Sequence, residues 1–453
     1  MFSLDRERDT ICAQSTAPGI GALAIIRLSG AQSLAILKAL SPEIPESKIE
    51  SHRANYSFLK DPSNDAIVDE IVATYFEAGR SFTGEDSVEF SCHGSAIIIS
   101  EILRLMVSHG ARMADPGEFT YRAFSNGRID LIQAESVLQL IESRSKSAAK
   151  SALRQLRGGL SQKVTEICDD LTWGLSRLEA NIDFSAEDIE FASEESIYEH
   201  LARAHENLGK AVNSYSSGRS LVEGIRVAIV GEPNVGKSSL LNRLISEDRA
   251  IVSPYAGTTR DTIEAEAIIS GARFVFIDTA GIRKAVDEIE ALGIERSRAE
   301  VERADIILWV CDISSAPKDS MDIGLNLNKT VVRVINKGDL ADTVVGYQAP
   351  EGAFLVSAKT GTGLEQLSKR LADFISIQIS DEAPAVLSLR QFEMLKDSMD
   401  FVDRGLRLLR DRVSSEFVIA EIQSSLKVCM KVLGKEFDDE VIDRVFRDFC
   451  LGK

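Results

Sequence analysis

Apolar and polar positions alternate in three textures along the chain. Residues 22–30 (ALAIIRLSG) form a short apolar run ended by Gly30, which predicts a strand; 66–79 and 86–94 repeat the pattern. Residues 95–110 carry apolar positions at helical spacing, so 1–118 reads as mixed α/β. After residue 118, Leu153, Leu156, Leu160, Val164, Ile167, Leu171, Leu175 and Leu178 recur every three or four positions. That is one apolar stripe, and it predicts a single long helix packed on other helices. Residues 181–200 hold seven acidic residues and no Lys or Arg, which reads as a solvated acidic face. The polar, glycine-containing segment 213–224 reads as a linker. From 225 to about 380, short apolar runs alternate with amphipathic stretches, the pattern of βα repeats on a mostly parallel sheet. Helical spacing returns at Phe392, Leu395, Met399, Val402, Leu406, Leu409 and Val413. The expected organisation is therefore an α/β domain (1–118), an all-α domain made of two separated stretches (119–218 and 381–453), and an α/β domain (219–380) inserted between them.

Composition narrows the function. The chain has 453 residues and a net charge of −18, so its surface as a whole repels phosphodiester backbones. Its six cysteines are scattered without a CxxC pair, which suits a reducing cytoplasm. No uncharged apolar run approaches the roughly 18 residues that a membrane span needs, and charges stand near the N-terminus where a signal peptide would be apolar.

Residues 225–245 (IRVAIVGEPNVGKSSLLNRLI) run from a strand through Gly231-x-x-x-x-Gly236-Lys237-Ser238 into a helix. Such glycines let backbone N–H groups curl around phosphate oxygens, and the helix N-terminus adds partial positive charge. Lys237 reaches the β- and γ-phosphates and Ser238 ligates Mg²⁺. Residues 274–281 then give a strand ending in Asp278, which suits a water-mediated role behind Mg²⁺, and Gly281, whose N–H suits a γ-phosphate contact. Residues 330–339 end in Asn336-Lys337-Gly338-Asp339. A carboxylate there accepts from guanine N1–H and the 2-amino group, and adenine would leave it unpaired. Ser357-Ala358-Lys359 follows, with backbone suited to guanine O6. In the loop 250–261, Thr258 or Thr259 can reach Mg²⁺ and the γ-phosphate. Ile282 stands where Ras-like switches carry a water-orienting Gln, so the catalytic group lies elsewhere or hydrolysis is slow.

Together these segments, with TAPGIGALAIIRLSG (16–30), FTGEDSVEFSCHG (82–94), PGEFTYRAFSNGRID (116–130), DTAGIRKAVDEIEALGIERS (278–297) and the terminal FCLGK (449–453), resemble the MnmE (TrmE) family of tRNA modification GTPases over essentially the full length. The resemblance implies a folate-binding, dimerising N-terminal domain, a two-part helical domain and an inserted GTPase domain. It implies a homodimer that joins the FAD-containing partner MnmG in a two-plus-two complex, takes a one-carbon unit from 5,10-methylene- or 5-formyl-tetrahydrofolate, and modifies C5 of the wobble uridine of certain tRNAs, which the partner mainly holds. GTP contacts then fall on 234–239 (Asn234, Val235, Gly236, Lys237, Ser238, Ser239), on Ser253, Thr258 and Thr259, on Asp278, Thr279, Ala280 and Gly281, on Asn336, Lys337 and Asp339, and on Ser357, Ala358 and Lys359. Ser238 and Thr259 would ligate Mg²⁺. Asn234, Ser253, Tyr255 and Thr258 would surround a K⁺ ion that replaces an arginine finger. Lys237 and Thr259 would act on the transferred phosphate, and Glu290 would orient the attacking water through a second water. Arg27, Glu89, Arg128 and Lys453 match the folate positions, and Cys450 is the family's C-terminal cysteine, a candidate catalytic thiol. Arg128 stands where the family usually has Lys, and Ala22, Ser95 and Ser125 also depart from its pattern.

Two other readings compete. An Era-type GTPase of ribosome assembly would need its own RNA-binding module, and no basic GxxG segment follows residue 380. A folate-binding scaffold with vestigial hydrolysis is opposed by the intact phosphate, Mg²⁺ and guanine residues.

Overall fold

The computed structural model describes residues 9–183, 192–247, 264–278, 301–313, 329–343, 350, 352–378, 386–436, 442, 445–447, 449 and 452. The chain forms two compact units: residues 1–138, 156–204 and 397–453 in one, and 139–155 and 205–396 in the other.

The first unit is built on strands β1 (Thr10–Gln14), β2 (Leu23–Ser29), β3 (Ala54–Asp61), β4 (Ala66–Phe76), β5 (Ser87–His93) and β6 (Ala111–Met113), in the order β3-β4-β5-β2-β1-β6. Neighbours are antiparallel except β1 and β6. Helices α1 (Ser33–Leu40) and α2 (Ala96–Ser108) put Ile36, Leu37, Ile102 and Met106 against Ile26, Leu28, Val88 and Phe90, all nearly or fully buried. Strand alternation sends Arg27 and Glu89 to the other face. There α3 (Glu118–Ser125) packs Phe119 with Ile11 and Ala13; in a separate cluster α4 (Leu131–Glu142) packs Leu131 and Ala134 with Phe446 and Phe449.

The helical part corrects the expectation of one long stripe. The run from Leu153 to Leu178 is divided between α5 (Lys146–Leu156) and α6 (Gly159–Asp183), with Gly158 at φ 85° between them. Leu160, Val164, Ile167, Leu171 and Leu178 are buried, whereas Leu153 is exposed. The expected linker at 213–224 is also corrected. Helix α7 (Glu194–Glu223) runs through it and stops at Gly224, φ 92°. A Cβ on Gly218 would lie 2.0 Å from the Val386 carbonyl oxygen, so glycine serves close packing there and not flexibility.

The second unit carries β7 (Ile225–Val230), β8 (Glu264–Ile269), β9 (Ala272–Asp278), β10 (Ile306–Asp312), β11 (Thr330–Asn336) and β12 (Phe354–Leu355), in the order β12-β11-β10-β7-β9-β8. All pairs are parallel except β8 with β9. Helices α8 (Lys237–Glu247) and α9 (Leu364–Gln378) bury Leu240, Leu241, Leu244, Leu364, Leu367 and Leu371 against the sheet. Buried residues such as Val227, Ile229, Leu308, Val310 and Val334 explain the near-continuous apolar strand runs of a covered parallel sheet. Helices α10 (Leu389–Arg410) and α11 (Ser415–Leu433) follow; Val413 falls past the end of α10 and is exposed. Among the described residues no helix is long and apolar enough to cross a membrane.

Candidate functional site

At the C-terminal end of β7 the chain turns through 231–236 into α8. Asn234 (φ 64°) and Gly236 (φ 89°) are left-handed while Val235 between them is not. That alternation aims successive N–H groups into one anion-binding concavity. A Cβ on Gly236 would lie 2.4 Å from Asn336 Nδ2, so no other residue fits without displacing that amide. Lys237 is buried, and its Nζ donates to the carbonyl oxygens of Gly231 (2.8 Å) and Glu232 (2.7 Å), which holds the ammonium over the loop. Ser238 and Ser239 are exposed on the first turn of α8, as is Asn234 in the loop before it.

The base-reading loops are tied to this turn. Asn336 is buried; its Nδ2 donates to the Val235 carbonyl (2.9 Å), and its Oδ1 accepts from the Ala358 N–H (3.0 Å). Lys337, left-handed at φ 63°, donates to Asp312 Oδ2 (2.8 Å). The exposed Asp339 accepts from Ser357 Oγ (2.7 Å), and that bond holds its carboxyl below the usual carboxylate range. Lys359 is exposed beside it. Asp278 ends β9, paired with Ile229, and its side chain lies outside the described residues. Ser253, Tyr255, Thr258, Thr259, Thr279, Ala280, Gly281, Glu290, Cys450 and Lys453 also lie outside them. Thus the structure brings Asn234–Ser239, Asn336, Lys337, Asp339 and Ser357–Lys359 together at one end of the parallel sheet.

In the other unit, Arg27 and Glu89 are directly opposed across β2 and β5, and Arg27 donates from Nε (2.9 Å) and Nη2 (2.7 Å) to Glu89 Oε1. Arg128 is exposed, and its stem passes over Gly84, where a Cβ would lie 3.1 Å from Arg128 Cγ. Gly452, from the terminal motif, accepts at its carbonyl from Ser15 Oγ (3.2 Å), just past β1. Cys12 and Cys92 are buried in β1 and β5, where burial pushes both thiols up to about 11, so neither is a ready nucleophile.

Sequence reasoning missed what shapes this face. The Arg27 guanidinium carbon lies 5.5 Å from the Phe82 ring centroid and 5.6 Å from that of Phe119. The loop bearing Phe82 is bolted down by Arg122, which donates to Glu85 Oε2 (3.0 Å) and Glu118 Oε1 (3.0 Å); Ser29 Oγ also donates to Glu85 (2.6 Å). Glu118 and Arg122 are spaced i, i+4 on α3, a pairing the sequence does display. Their link to Glu85, 37 positions away, has no local signal.

A phosphate loop between strand and helix, a lysine anchored across it, and Asn-Lys-Gly-Asp and Ser-Ala-Lys loops at the ends of neighbouring parallel strands define a P-loop GTPase. Comparison with known proteins gives the family. Residues 10–128 match the GTP-binding protein TrmE N-terminus and 131–450 the MnmE helical domain. The chain is 40% identical to the tRNA modification GTPase MnmE of Bdellovibrio bacteriovorus, covering 100% of this chain and 99% of that one. It is 38% identical to the MnmE of Fervidobacterium nodosum, covering 98% of each. The chain belongs to the tRNA modification GTPase MnmE family, and the Era-type reading is set aside.

Proposed function

We propose that this chain is a K⁺-stimulated GTPase that acts with the FAD-containing MnmG to add an aminomethyl or carboxymethylaminomethyl group to C5 of the wobble uridine, U34, of certain tRNAs. The one-carbon unit comes from 5,10-methylene- or 5-formyl-tetrahydrofolate bound at Arg27, Glu89, Arg128 and Lys453. The chain works as a cytoplasmic homodimer in a two-plus-two complex with MnmG.

One observation carries the nucleotide assignment. Asp339 is exposed and ionised, oriented by Ser357, and stands beside a loop that Asn336 ties to the phosphate turn. Such a carboxylate pairs with the two donors of guanine and is left unpaired by adenine. The curled turn and the exposed Ser238 hydroxyl suit a phosphate-bound Mg²⁺, with Thr259 as the second protein ligand. Mg²⁺ and K⁺ supply positive charge that offsets charge developing on the phosphates. The exposed Asn234, with Ser253, Tyr255 and Thr258, holds K⁺. Lys237, held over the loop, reaches the β- and γ-phosphates, and Glu290 orients the attacking water.

Calorimetry with GTP and ATP tests the base assignment: equal affinities would sink it. Nucleoside analysis of tRNA from a strain lacking the chain tests the pathway, with loss of the C5-modified wobble uridine as the expected result.

A further inference from the structure

Several exposed cations on the helices of this chain are matched by an acid one turn away: Lys163 by Glu166, Lys210 by Glu206, Arg407 by Asp403. Helix α5 breaks that pattern. Residues 143–165 hold Arg144, Lys146, Lys150, Arg154, Arg157 and Lys163 and no acidic residue, in a chain whose net charge is −18. Lys146, Lys150 and Arg154 follow one another at i, i+4, the spacing at which like charges repel. The inner flank of α5 is small and neutral: Ala148, Ala152 and Gln155 are buried, whereas Lys146 and Lys150 are exposed and Arg154 is half-buried. Arg144, ahead of the helix and 60% exposed, shares Glu266 (3.7 Å) with Arg273, which holds that carboxylate by two hydrogen bonds. The outer flank therefore presents a stripe of cations about 6 Å apart along the axis.

The start of α5 is firmly held. Ser145 Oγ accepts from the Ala148 N–H (3.1 Å). The Ser147 N–H (3.3 Å) and its Oγ–H (3.1 Å) both donate to the carbonyl of Gly271, at the tip between β8 and β9. The stripe is thus in place before anything meets it, and binding to it needs little further ordering.

We infer that the outer flank of α5, with Arg144, Lys146, Lys150 and Arg154, is a contact surface for the phosphodiester backbone of the tRNA on which this family acts. The inference rests on the tRNA reading and goes beyond it by giving this chain its own hold on the RNA, apart from its partner. Backbone contacts of this kind set register and carry no sequence information, so the stripe positions the RNA and leaves the choice of tRNA to other groups. The acidic balance of the chain as a whole repels the same backbone and confines it to the stripe.

The test is fluorescence anisotropy of a labelled tRNA transcript titrated with the full chain, without MnmG, between about 50 and 200 mM KCl. Lys146→Gln combined with Lys150→Gln keeps good helix formers on an exposed flank, so the thermal midpoint and GTP affinity should match wild type. Affinity for tRNA should fall roughly 10-fold at the lowest salt. The slope of log affinity against log salt should shrink by about 2, one for each cation removed. Should that pair unfold, Lys150→Gln alone carries the prediction, with a slope change of about 1. A second pair, Lys369→Gln with Arg370→Gln on the exposed side of α9, alters the net charge equally and should bind tRNA as wild type does. Equal weakening by both pairs would reduce the effect to net charge and overturn the inference, as would an α5 pair that binds like wild type. An α5 pair that keeps tRNA and loses capture of MnmG would assign the flank to a protein and overturn it too. If the wild-type chain binds tRNA only when MnmG is present, the inference falls and the tRNA reading stands; if tRNA is bound in neither case, both fall.

Discussion

In the nucleotide loops, backbone groups and short turns do the holding. Lys237 donates to two loop carbonyls, Asn336 joins a carbonyl to an N–H, and left-handed residues set the curl. On the Arg27 face, side chains hold side chains: Arg27 on Glu89, and Arg122 on Glu85 and Glu118, from segments far apart in the chain. A site of the first kind is damaged locally by a side-chain change. A site of the second kind shares its supports with the core, so damage spreads to the fold.

The largest expected effect falls on the second kind. Arg122→Leu removes a buried guanidinium that bridges Glu85 and Glu118, leaving Glu118 to Arg112, and should cost about 3–5 kcal/mol, read by chemical denaturation. A loss confined to folate affinity, with stability intact, would erase the contrast. Next, Asp339→Ala should lower GTP affinity roughly 100-fold with the unfolding midpoint unchanged, measured by titration and thermal melt. Hydrolysis in KCl should then exceed that in NaCl by about 10-fold at equal ionic strength, and equal rates would take the ion out of the mechanism. The smallest effect belongs to Ser357→Ala, which should weaken GTP about threefold. It should also let the Asp339 carboxyl rise toward its ordinary value of 3.8. Because Ser357 depresses that pKa, the contribution of Asp339 is complete above the ordinary value and fades as pH falls through the depressed one. The ratio of wild-type to Asp339→Ala affinity, which cancels titration of the phosphates, should therefore stay flat from about pH 5 to pH 8, and a step in that ratio would refute the assignment.

The same contrast explains what could be read in advance. The phosphate turn and the Asn336 loop were legible because phosphate and guanine chemistry demands particular residues in unbroken runs after strands. Arg27 and Glu89 came only through family resemblance, since a single charge on a strand has no signature of its own. Phe82, Phe119 and the Arg122 cluster stayed hidden because they meet through tertiary packing. The helix through 213–224 was misread for a related reason. Serine and glycine lower local helix propensity, but the close approach to Val386 rewards Gly218 there, and packing overrides propensity. Likewise the stripe from Leu153 to Leu178 has helical period throughout, and only Gly158 betrays the break.

The Asn336 cross-tie has a thermodynamic meaning. Its partners, the Val235 carbonyl and the Ala358 N–H, are both protein groups, so the brace needs no nucleotide to form. The phosphate turn and the base-reading loop are thereby joined in advance, and for these two segments the cost of ordering falls on folding and not on nucleotide capture.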